Sequence, residues 1–554
     1  MFIGDSAGLY GRTHNICVVG AGPVGIVLAL ELARHGLEVT LLESGTFEIE
    51  PDIQGLSHAI TADAARNTDM MLAVQRRFGG TSNLWGAGCV PLDPIDFERR
   101  TICDARWPIS YDEFARYLPD ACRYAHCGLR FALPVEGVVI ENDHFVVDRL
   151  MRYADPPSFL VAYRDAVARS RLIRTYLGAT ATGMRFGPDE RLAALEVRTR
   201  DGRDGLVRAR AFVLACGGVE TARLLLAVQA ENPGLFGGAG GPLGRYYMGH
   251  LSGAIAEIRF SNRRLDRSFG FFLAGDMAYA RRRITASAAH QQRASLPNVS
   301  FWPTLPAMRN PDHRDPILSL AYLALSFPPL GRRLVSESLR RINIGDGGNT
   351  LAHLRNVLFG APSLAGFLPQ FLYRRLFSQC RLPGLHFHNA AMRYPLHFHA
   401  EHLPNAQSRV RLSEERDVLG LRKAVLDLRF SERDAEGVVR SHAHLARWLE
   451  ATGLGELIWQ FPAGERIGRV MELAGDGVHQ IGTVRMGADE RTGVVDGDCR
   501  VFGTGNLFVA GSAVFPTSGQ ANPTLSSMAL GVRLARHLSE EAARLERVPV
   551  PLHL

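Results

Sequence analysis

Residues 15–45 read NICVVGAGPVGIVLALELARHGLEVTLLESG, and this stretch decides the fold of the N-terminal part of the chain. A β-rich run over 16–19 enters a glycine-rich turn, an apolar helix follows to about residue 35, and a second β-rich run covers 39–42. Strand, helix and strand in this order predict a βαβ unit of the Rossmann type.

The turn carries the pattern Gly20-x-Gly22-x-x-Gly25. Gly20 permits the tight turn, Gly22 lets backbone amides approach a pyrophosphate, and Gly25 allows the helix to pack on the strand. The helix N-terminus adds partial positive charge for the phosphates. Glu43, about twenty residues further on, is placed to accept hydrogen bonds from a ribose diol. Together these features predict a dinucleotide site, and they do not distinguish FAD from NAD.

Two further segments are rich in glycine and small polar residues. GGTSNLWGAG (79–88) is either a surface turn or a loop that brings backbone amides and the Asn83 amide against a flat, hydrogen-bonding ring. Near the C-terminus, a β-rich run over 506–510 and a small-residue turn lead into a helix with Asn522, Pro523 and Thr524 in its N-terminal region. This arrangement puts backbone donors beside an anion or an electron-rich ring edge.

Five motifs in this order resemble the glucose–methanol–choline (GMC) flavoprotein oxidoreductases. They are the dinucleotide unit, GGTSNLWGAG, VLACGGVETARLLL (213–226), EHLPNAQSRVRL (401–412) and the C-terminal block from residue 478 to 538. GGTSNLWGAG and AGSAVFPTSGQANPT (510–524) are most similar to the branch that contains pyranose oxidase, fructose dehydrogenase and gluconate dehydrogenase.

The resemblance implies FAD as the cofactor. The residues that it assigns to FAD binding are Gly20, Gly22, Gly25 and Glu43 at the adenosine end, Ala179 near the adenine, Gly80, Thr81, Ser82 and Asn83 near the isoalloxazine, Gly511 and Ser512 near the ribityl-pyrophosphate, and Asn522, Pro523 and Thr524. Pyranose oxidases tether the flavin through a histidine in the first loop, where this chain has Leu84. The expected FAD is therefore noncovalent.

The resemblance also implies a catalytic pair. Alcohol oxidation by hydride transfer needs a base for the hydroxyl proton, and His479 in VHQIGT stands at the position of the family's catalytic histidine. Asn522 in QANPT stands where the family places the second partner, His or Asn. Because an amide cannot take the proton, we assign Asn522 to anchor the substrate oxygen.

Five histidines lie close together in the sequence between residues 386 and 402: His386, His388, His397, His399 and His402. The two HFH triplets put alternate histidines on one face of a strand. A metal site, a polar strand face lining the substrate pocket and plain solvent exposure all fit this pattern. We expect no metal, since the family works without one.

Composition excludes several classes of protein. The net charge of +7 comes almost entirely from arginine, with Lys423 as the single lysine, and no basic run interleaved with aromatic residues indicates nucleic-acid binding. The lysine count disfavours a P-loop, and the eight dispersed cysteines without a CxxC pair fit a reducing compartment without structural zinc. The N-terminus lacks a basic segment followed by an apolar one, so we expect a cytoplasmic protein.

At 554 residues the chain should form an α/β fold with two domains. We expect a discontinuous FAD-binding domain with a parallel sheet, built from 1–125, 171–255 and 475–554. A substrate domain from 126–170 and 256–474 should contribute an antiparallel sheet that includes SRVRL (408–412) and AVLDLRF (424–430).

The least family-like segment, about 305–385, reads as a helical insert whose second apolar run is broken by Pro362 and Pro369. Three roles are open for this insert: a cap over the active site, a peripheral membrane contact through about 316–376, or a homo-oligomer interface. An apolar cap would favour a bulky, partly apolar alcohol.

These features predict an FAD-dependent oxidoreductase that converts a secondary alcohol of a sugar, glycoside or sugar-like natural product to a ketone. The electron acceptor is oxygen, a quinone or a redox protein. The competing hypotheses are oxidation of a bulky hydrophobic alcohol in natural-product biosynthesis, a non-redox flavin lyase or decarboxylase, and a non-catalytic scaffold.

Overall fold

The computed structural model describes residues 1–3, 8–138, 142–335, 337–345 and 347–547. Positions 336 and 346 of the expected insert, 4–7, 139–141 and the end of the expected FAD-binding segment, 548–554, lie outside the described residues. The described strands are β1 (Phe2–Ile3), β2 (Thr13–Val19), β3 (Val39–Glu43), β4 (Ile60–Thr61), β5 (Gly88–Cys89), β6 (Phe145–Tyr153), β7 (Ile173–Leu177), β8 (Ala179–Phe186), β9 (Leu192–Thr199), β10 (Asp204–Leu214), β11 (His250–Phe260), β12 (Phe272–Leu273), β13 (Tyr279–Ala286), β14 (Val299–Pro303), β15 (Arg393–Glu401), β16 (Arg409–Arg416), β17 (Arg422–Asp427), β18 (Gly455–Trp459), β19 (Ala474–Gly475) and β20 (Leu507–Val509).

Helices occupy the connections between these strands. The described α-helices are α1 (Pro23–Arg34), α2 (Pro51–Gly55), α3 (Met70–Ala73), α4 (Tyr111–Ala115), α5 (Leu118–Ala125), α6 (Phe159–Arg169), α7 (Gly218–Glu231), α8 (Arg263–Ser268), α9 (Ala288–Ala294), α10 (Pro316–Ser326), α11 (Pro328–Leu334), α12 (Glu337–Ile344), α13 (Thr350–Phe359), α14 (Ala361–Leu372), α15 (Glu432–Thr452), α16 (Arg466–Leu473) and α17 (Pro523–Arg547). None of them is long and apolar enough to cross a bilayer.

The first sheet has eight described strands in the order β1-β7-β3-β2-β10-β9-β8, with β20 also paired to β10. Its centre is parallel, since β2 pairs in parallel with both β3 and β10. The predicted βαβ unit is confirmed as β2, α1 and β3, and α1 begins with Pro23 directly after Gly22. Strand β20 brings the C-terminal part of the chain to the same sheet, so both ends and the middle of the sequence build it.

The second sheet has nine described strands in the order β18-β11-β15-β14-β13-β6-β5, with β12 on β13 and β19 on β11. All its described pairings are antiparallel. Strands β11 and β15 pair so that Ser252 faces His399 and His250 faces Glu401. Because alternate residues of a strand point to the same face, His397 and His399 share one face with Ser252 of the neighbouring strand. The expected mixed α/β fold with a parallel and an antiparallel sheet is confirmed.

The expectation for SRVRL and AVLDLRF is wrong in one respect. The two segments do form antiparallel strands, β16 and β17, but these pair with β4 in a separate three-stranded sheet rather than joining the larger antiparallel one. The turn between them reaches back toward the first sheet, where Asp417 binds Arg223 of α7 at 2.6 Å.

The expected insert is helical, from α10 to α14. Our prediction that Pro362 and Pro369 break its second apolar run is wrong. Pro362 lies in the first turn of α14, where its missing N–H costs nothing, and α14 continues through Pro369. The chain instead changes direction at Gly360, between α13 and α14.

The division into domains stays a prediction. The strands of the first sheet all fall within 1–125, 171–255 and 475–554. The boundary at residue 255, however, cuts β11 in the middle, and β5 of the second sheet comes from the N-terminal range.

Candidate active site

A cleft opens at the carboxyl end of the parallel strands, where ligands of open α/β sheets bind. Segments that are far apart in sequence line it together. The residues assigned to FAD from the sequence that line this cleft are Gly20, Gly22, Glu43, Gly80, Thr81, Ser82, Ala179, Gly511, Ser512, Pro523 and Thr524, and His479 lines it as well. Three of the assigned residues do not line it: Gly25, Asn83 and Asn522.

The glycine-rich turn is shaped for a phosphate group. Gly20 adopts a φ of +102°, and its amide donates to the Leu42 carbonyl at 2.7 Å. A β-carbon on Gly22, by contrast, would meet no atom within 4 Å, so the backbone stays open to the cleft at the N-terminus of α1. A β-carbon on Gly25 would stand 1.9 Å from the Gly20 carbonyl oxygen. Gly25 therefore sits beneath the turn and lets α1 approach it, which is the packing role expected for this glycine.

Glu43 ends β3 and is buried at the edge of the cleft. Its Oε2 accepts from the Ala21 amide at 2.8 Å, and its Oε1 accepts from the Gly45 amide at 2.9 Å. Burial raises the pKa of Glu43 above its ordinary value, and these two amides oppose the rise. A carboxylate has about four acceptor positions, so two remain for a ribose diol. The residues present thus fit a dinucleotide.

The side-chain amide of Asn83, which the sequence analysis places near the flavin, is bonded within the protein. Its Nδ2 donates to the Phe78 and Gly80 carbonyls at 3.1 and 2.9 Å, and its Oδ1 accepts from the Ser158 hydroxyl at 2.5 Å. The amide faces the protein because the loop folds as a short 3-10 turn over Gly80–Asn83 and needs these bonds to hold its shape. The neighbours Gly80, Thr81 and Ser82 face the cleft in its place.

Asn522 immediately precedes α17 and is half-buried. Its Nδ2 lies 3.7 Å from the place where a β-carbon on Gly88 would stand, which puts the amide beside β5 of the second sheet. Among the described residues its side chain has no hydrogen-bond partner, so the amide is free to bind a ligand. Pro523 and Thr524 of the same segment line the cleft.

The loop that carries His479 is held firmly. Asp476 accepts from the Val478 amide at 3.0 Å and from the Thr68 hydroxyl at 2.9 Å. The His479 amide donates to the Asp476 carbonyl at 2.9 Å. Val478 has a φ of +61°, a conformation that L-residues adopt rarely and that only surrounding contacts can maintain. The imidazole is therefore positioned by its backbone as well as by its ring contacts.

Two further histidines surround the His479 ring. His250 begins β11, and its Nδ1 lies 2.9 Å from Nδ1 of His479. His399 stacks on His250 with ring centroids 4.2 Å apart and an interplanar angle of 22°. The ligand nitrogens of the three side chains all lie within 4.8 Å of one another. Such spacing would admit a metal ion, but the hydrogen bonds of the rings account for the cluster without one.

The hydrogen bonds of this histidine cluster fix where its protons are. The Gly519 carbonyl, 3.1 Å from His250 Nε2, can only accept, so His250 carries its proton on Nε2. Nδ1 of a neutral His250 is then an acceptor, and Nδ1–H of His479 donates to it. His479 consequently keeps the lone pair on Nε2, the nitrogen that faces away from His250. That is the tautomer a general base requires.

All three rings are neutral at physiological pH. Burial lowers the pKa of His479 to about 4. Burial first, then the neighbouring imidazoles, lowers the pKa of His250 well below its ordinary value, and the same causes act on His399. His399 donates from Nδ1 to the Gln520 carbonyl at 2.9 Å. A neutral imidazole with a free Nε2 in a cleft beside a dinucleotide loop can accept a proton from a bound alcohol.

The five histidines of the sequence cluster separate into different environments. His397 lies on the same strand face as His399 and is 2.9 Å from the Ser252 hydroxyl, so this strand face is polar. His402 is buried and bonded to the Gly249 amide and the Arg429 carbonyl. His386 and His388 pack against each other, away from His479.

Sequence reasoning missed several residues of the cleft. His250 carries no recognisable motif, because its partner His479 is 229 positions away in the sequence. Arg76 lines the cleft and forms an ion pair with Glu220 at 2.5 Å. Its place three residues before the glycine-rich loop at Gly79 was the one available signal. Trp85 and Gln480 also line the cleft, and both belong to motifs that the sequence analysis had singled out.

Comparisons with known proteins find matches at both ends of the chain. Residues 404–531 match the family model of GMC oxidoreductases, and residues 13–50 match that of an FAD binding domain. The 6'''-hydroxyparomomycin C oxidase of Streptomyces lividus is 25% identical over 98% of this chain and 94% of its own. A C-glycoside 3-oxidase of Microbacterium trichothecenolyticum is 40% identical over 24% of this chain and 25% of its own. The matches to the two C-glycoside 3-oxidases thus span about a quarter of the length of those relatives.

Solved structures share the fold. Pyridoxine 4-oxidase from Mesorbium loti superposes with a TM-score of 0.50 at 18% identity, covering 95% of this chain and 99% of its own. A variant of the formate oxidase of Aspergillus oryzae superposes with a TM-score of 0.53 at 15% identity, covering 97% and 100%. At these identities the likeness concerns the fold alone.

Proposed function

We propose that this chain, which belongs to the GMC oxidoreductase family, is an FAD-dependent oxidoreductase that oxidises a secondary alcohol of a sugar, glycoside or sugar-like natural product to a ketone. The observation that carries the proposal is the neutral His479, with its Nε2 lone pair free, in the cleft lined by the dinucleotide loop. Among relatives, the C-glycoside 3-oxidases, the 6'''-hydroxyparomomycin C oxidase and the paromamine 6'-oxidase carry names that support a glycoside as the substrate, and position 3 of the first of these names favours a secondary alcohol.

Each residue of the site has a distinct part in the proposed reaction. His479 Nε2 accepts the hydroxyl proton of the substrate, and His250 holds the His479 ring in the required tautomer. The free Asn522 amide donates to the substrate oxygen as negative charge develops on it. The bound flavin supplies the hydride acceptor. The polar strand face with His397 and Ser252 contacts the rest of a hydroxyl-rich substrate.

The FAD is held by Gly20, Gly22 and Glu43 at one end and by Gly511 and Ser512 at the other, without a covalent bond. Leu84, at the position where pyranose oxidases have their tethering histidine, supports noncovalent attachment. Acid precipitation of the purified protein should leave all the flavin in the supernatant. Flavin that stays with the pellet would refute this assignment.

The chain's partners include an electron acceptor, which we take to be oxygen, a quinone or a redox protein. Names ending in oxidase among the relatives favour oxygen.

We further propose a cytoplasmic location, since all eight cysteines are unpaired in the structure. A homo-oligomer through the helical insert remains a proposal that size-exclusion chromatography with light scattering tests.

The decisive experiment is anaerobic mixing of the FAD-loaded protein with a panel of alcohols in a stopped-flow spectrophotometer. Glycosides and aminoglycosides should bleach the flavin absorbance, and exhaustive turnover should yield a ketone.

His479→Ala should slow bleaching by at least ~10² while FAD stays bound, because general-base catalysis contributes about that factor. Asn522→Ala should retain FAD and slow bleaching by a smaller factor, about tenfold, as expected for one hydrogen bond to a developing charge.

A second candidate is oxidation of a bulky hydrophobic alcohol in natural-product biosynthesis. The helical insert favours it, since its charged helix α12 lies against α3, whose Ala73 lines the cleft, and its other helices α10 and α14 consist mostly of apolar residues. Bleaching by sterols or polyketide alcohols but not by glycosides would select this candidate. If no alcohol bleaches the flavin, a flavin lyase or decarboxylase becomes the better interpretation.

A further inference from the structure

Helix α13 buries polar side chains and exposes apolar ones, which is the reverse of an ordinary surface helix. Its buried side chains are polar: His353 is 3.1 Å from the Ser319 hydroxyl of α10, and Asn356 donates to the same hydroxyl at 3.1 Å. Its exposed side chains are apolar, with Leu351 78% and Leu358 75% exposed. Leu351, Leu354 and Leu358 are spaced three and four residues apart and therefore form one stripe. This stripe faces away from the protein.

The apolar surface continues at the end of the next helix. The large apolar side chains within α14, such as Phe367 and Phe371, are half-buried, whereas its last residue, Leu372, and the helical turn that follows, with Tyr373, Leu376 and Phe377, are exposed. Of the twenty large hydrophobic side chains that are exposed in the described part of the chain, eleven lie between residues 327 and 377. A patch of this kind on a folded protein indicates a contact surface.

The same segment is strongly basic. Residues 327–381 contain eight arginines and two acidic residues. Glu337 is bonded to three of these arginines, Arg332, Arg340 and Arg341. Among the described residues, the exposed Arg333, Arg355, Arg374 and Arg381 have no ion pair, so their charge is available to a partner.

We propose that α13, α14 and the turn up to residue 377 dock the protein onto an anionic lipid surface. The leucine stripe and the aromatic turn would enter the boundary between headgroups and acyl chains, and the unpaired arginines would contact lipid phosphates. Helix α14 has twelve residues, about 18 Å at 1.5 Å per residue, so it lies in the interface and does not span the bilayer.

Charge distinguishes a lipid surface from a second copy of the chain. In a two-fold symmetric dimer the same patch meets itself, so one positively charged patch would lie against another. Like charges across an interface are unfavourable, whereas anionic headgroups neutralise them.

Vesicle flotation of the full, FAD-loaded chain tests the docking. We expect about tenfold more protein to float with vesicles of phosphatidylcholine containing about one third phosphatidylglycerol than with phosphatidylcholine alone, and we expect this binding to fall at high salt. Flotation uses no substrate, so its outcome is independent of the proposed oxidation. Light scattering on the same sample without vesicles gives the oligomeric state.

Two sets of variants locate the contact. The double variant Leu358→Ser and Phe359→Ser should lose vesicle binding, because both side chains are largely exposed and their replacement leaves the fold intact. Arg374→Gln and Arg355→Gln should each weaken binding to anionic vesicles only. Val161→Ser is the matched control: it removes an equally exposed apolar side chain, on α6, and should bind as the parent does. FAD content and thermal unfolding verify that each variant is folded.

Three outcomes would overturn the proposal. They are absence of binding to anionic vesicles, equal binding by the parent and the Leu358→Ser, Phe359→Ser variant, and a dimer in solution that this double variant dissociates. The last result would assign the patch to a second copy.

Discussion

At the scale of single residues, the site depends on where protons lie on three imidazoles. The Gly519 carbonyl fixes the tautomer of His250, and His250 fixes that of His479. Neither relation has a sequence signature, because the carbonyl and the two rings come from three distant segments. The sequence did indicate His479 itself, because the motif VHQIGT lies within one short continuous segment.

Substitution of His250 tests its positioning role. His250→Leu removes the acceptor for Nδ1–H of His479, so the ring can adopt the other tautomer, and we expect flavin reduction to slow by about tenfold, the value of one buried hydrogen bond of ~1.4 kcal/mol. His250→Gln should recover most of the rate, because its Oε1 can accept from His479 while its amide donates to Gly519. The KM should stay unchanged in both variants, since His250 is not among the residues that line the cleft. A purely structural His250 would instead change FAD content and KM together.

The pH dependence of flavin reduction follows from the neutral state of His479. The base works only unprotonated, and burial lowers the pKa of His479 to about 4. The rate constant should therefore hardly change from neutral pH down to about 5 and should fall below that, by up to tenfold per pH unit. Stopped-flow pH jumps measure it before the protein unfolds. An acid limb at or above 6.5, the ordinary pKa of histidine, would contradict this assignment.

At the scale of elements, the sequence predicted local units well and their partners poorly. The βαβ unit could be predicted because one continuous segment contains both strands, the helix and the turn glycines. The segments that form β16 and β17 were predicted as strands, but the alternation of apolar residues does not indicate which sheet a strand joins. The contacts of the Asn83 amide were not predictable for a similar reason. The sequence of a loop does not reveal that a side chain will donate to the loop's own backbone carbonyls.

The contact between α1 and the glycine-rich turn gives a prediction at this scale. Gly25→Ala would put a β-carbon 1.9 Å from the Gly20 carbonyl oxygen, so α1 or the turn must move. We expect loss of FAD and a destabilisation of about 1–3 kcal/mol, typical of overpacking against a rigid neighbour. The absorbance ratio at 450 and 280 nm and a thermal melt measure the two effects. Gly55→Ala, whose β-carbon would meet nothing within 4 Å, is the control and should keep both values near the parent's.

At the scale of the whole molecule, the two large sheets meet at the histidine cluster. His479 comes from the C-terminal segment that also supplies β20 to the first sheet, whereas His250 and His399 come from β11 and β15 of the second. The proposed catalytic arrangement therefore exists only when both sheets are assembled. Tertiary assembly of this kind explains why the sequence indicated the cofactor and the candidate base, His479, but not the residues that contact this histidine.

Buried neutral histidines also make the fold sensitive to acid. His442 of α15 is fully buried against Phe301 and Phe398, and burial lowers its pKa to about 4. The unfolded chain binds the proton near pH 6.5, so the stability that a neutral His442 contributes is complete above that pH and is lost as pH falls toward 4. For this residue the loss between pH 7 and pH 5 is about 2 kcal/mol.

The variant His442→Leu makes that contribution measurable. It removes the group that must stay unprotonated, and leucine suits the apolar surroundings, so the drop in melting temperature between pH 7 and pH 5 should be smaller than in the parent. His58→Leu, at an exposed position, is the matched control and should show the parent's full drop. His250 and His399 are also buried in the neutral state, and both are unchanged in this variant. His442→Leu should therefore retain part of the acid sensitivity. If His442→Leu and the parent lost the same stability on acidification, protonation of His442 would not contribute to acid unfolding.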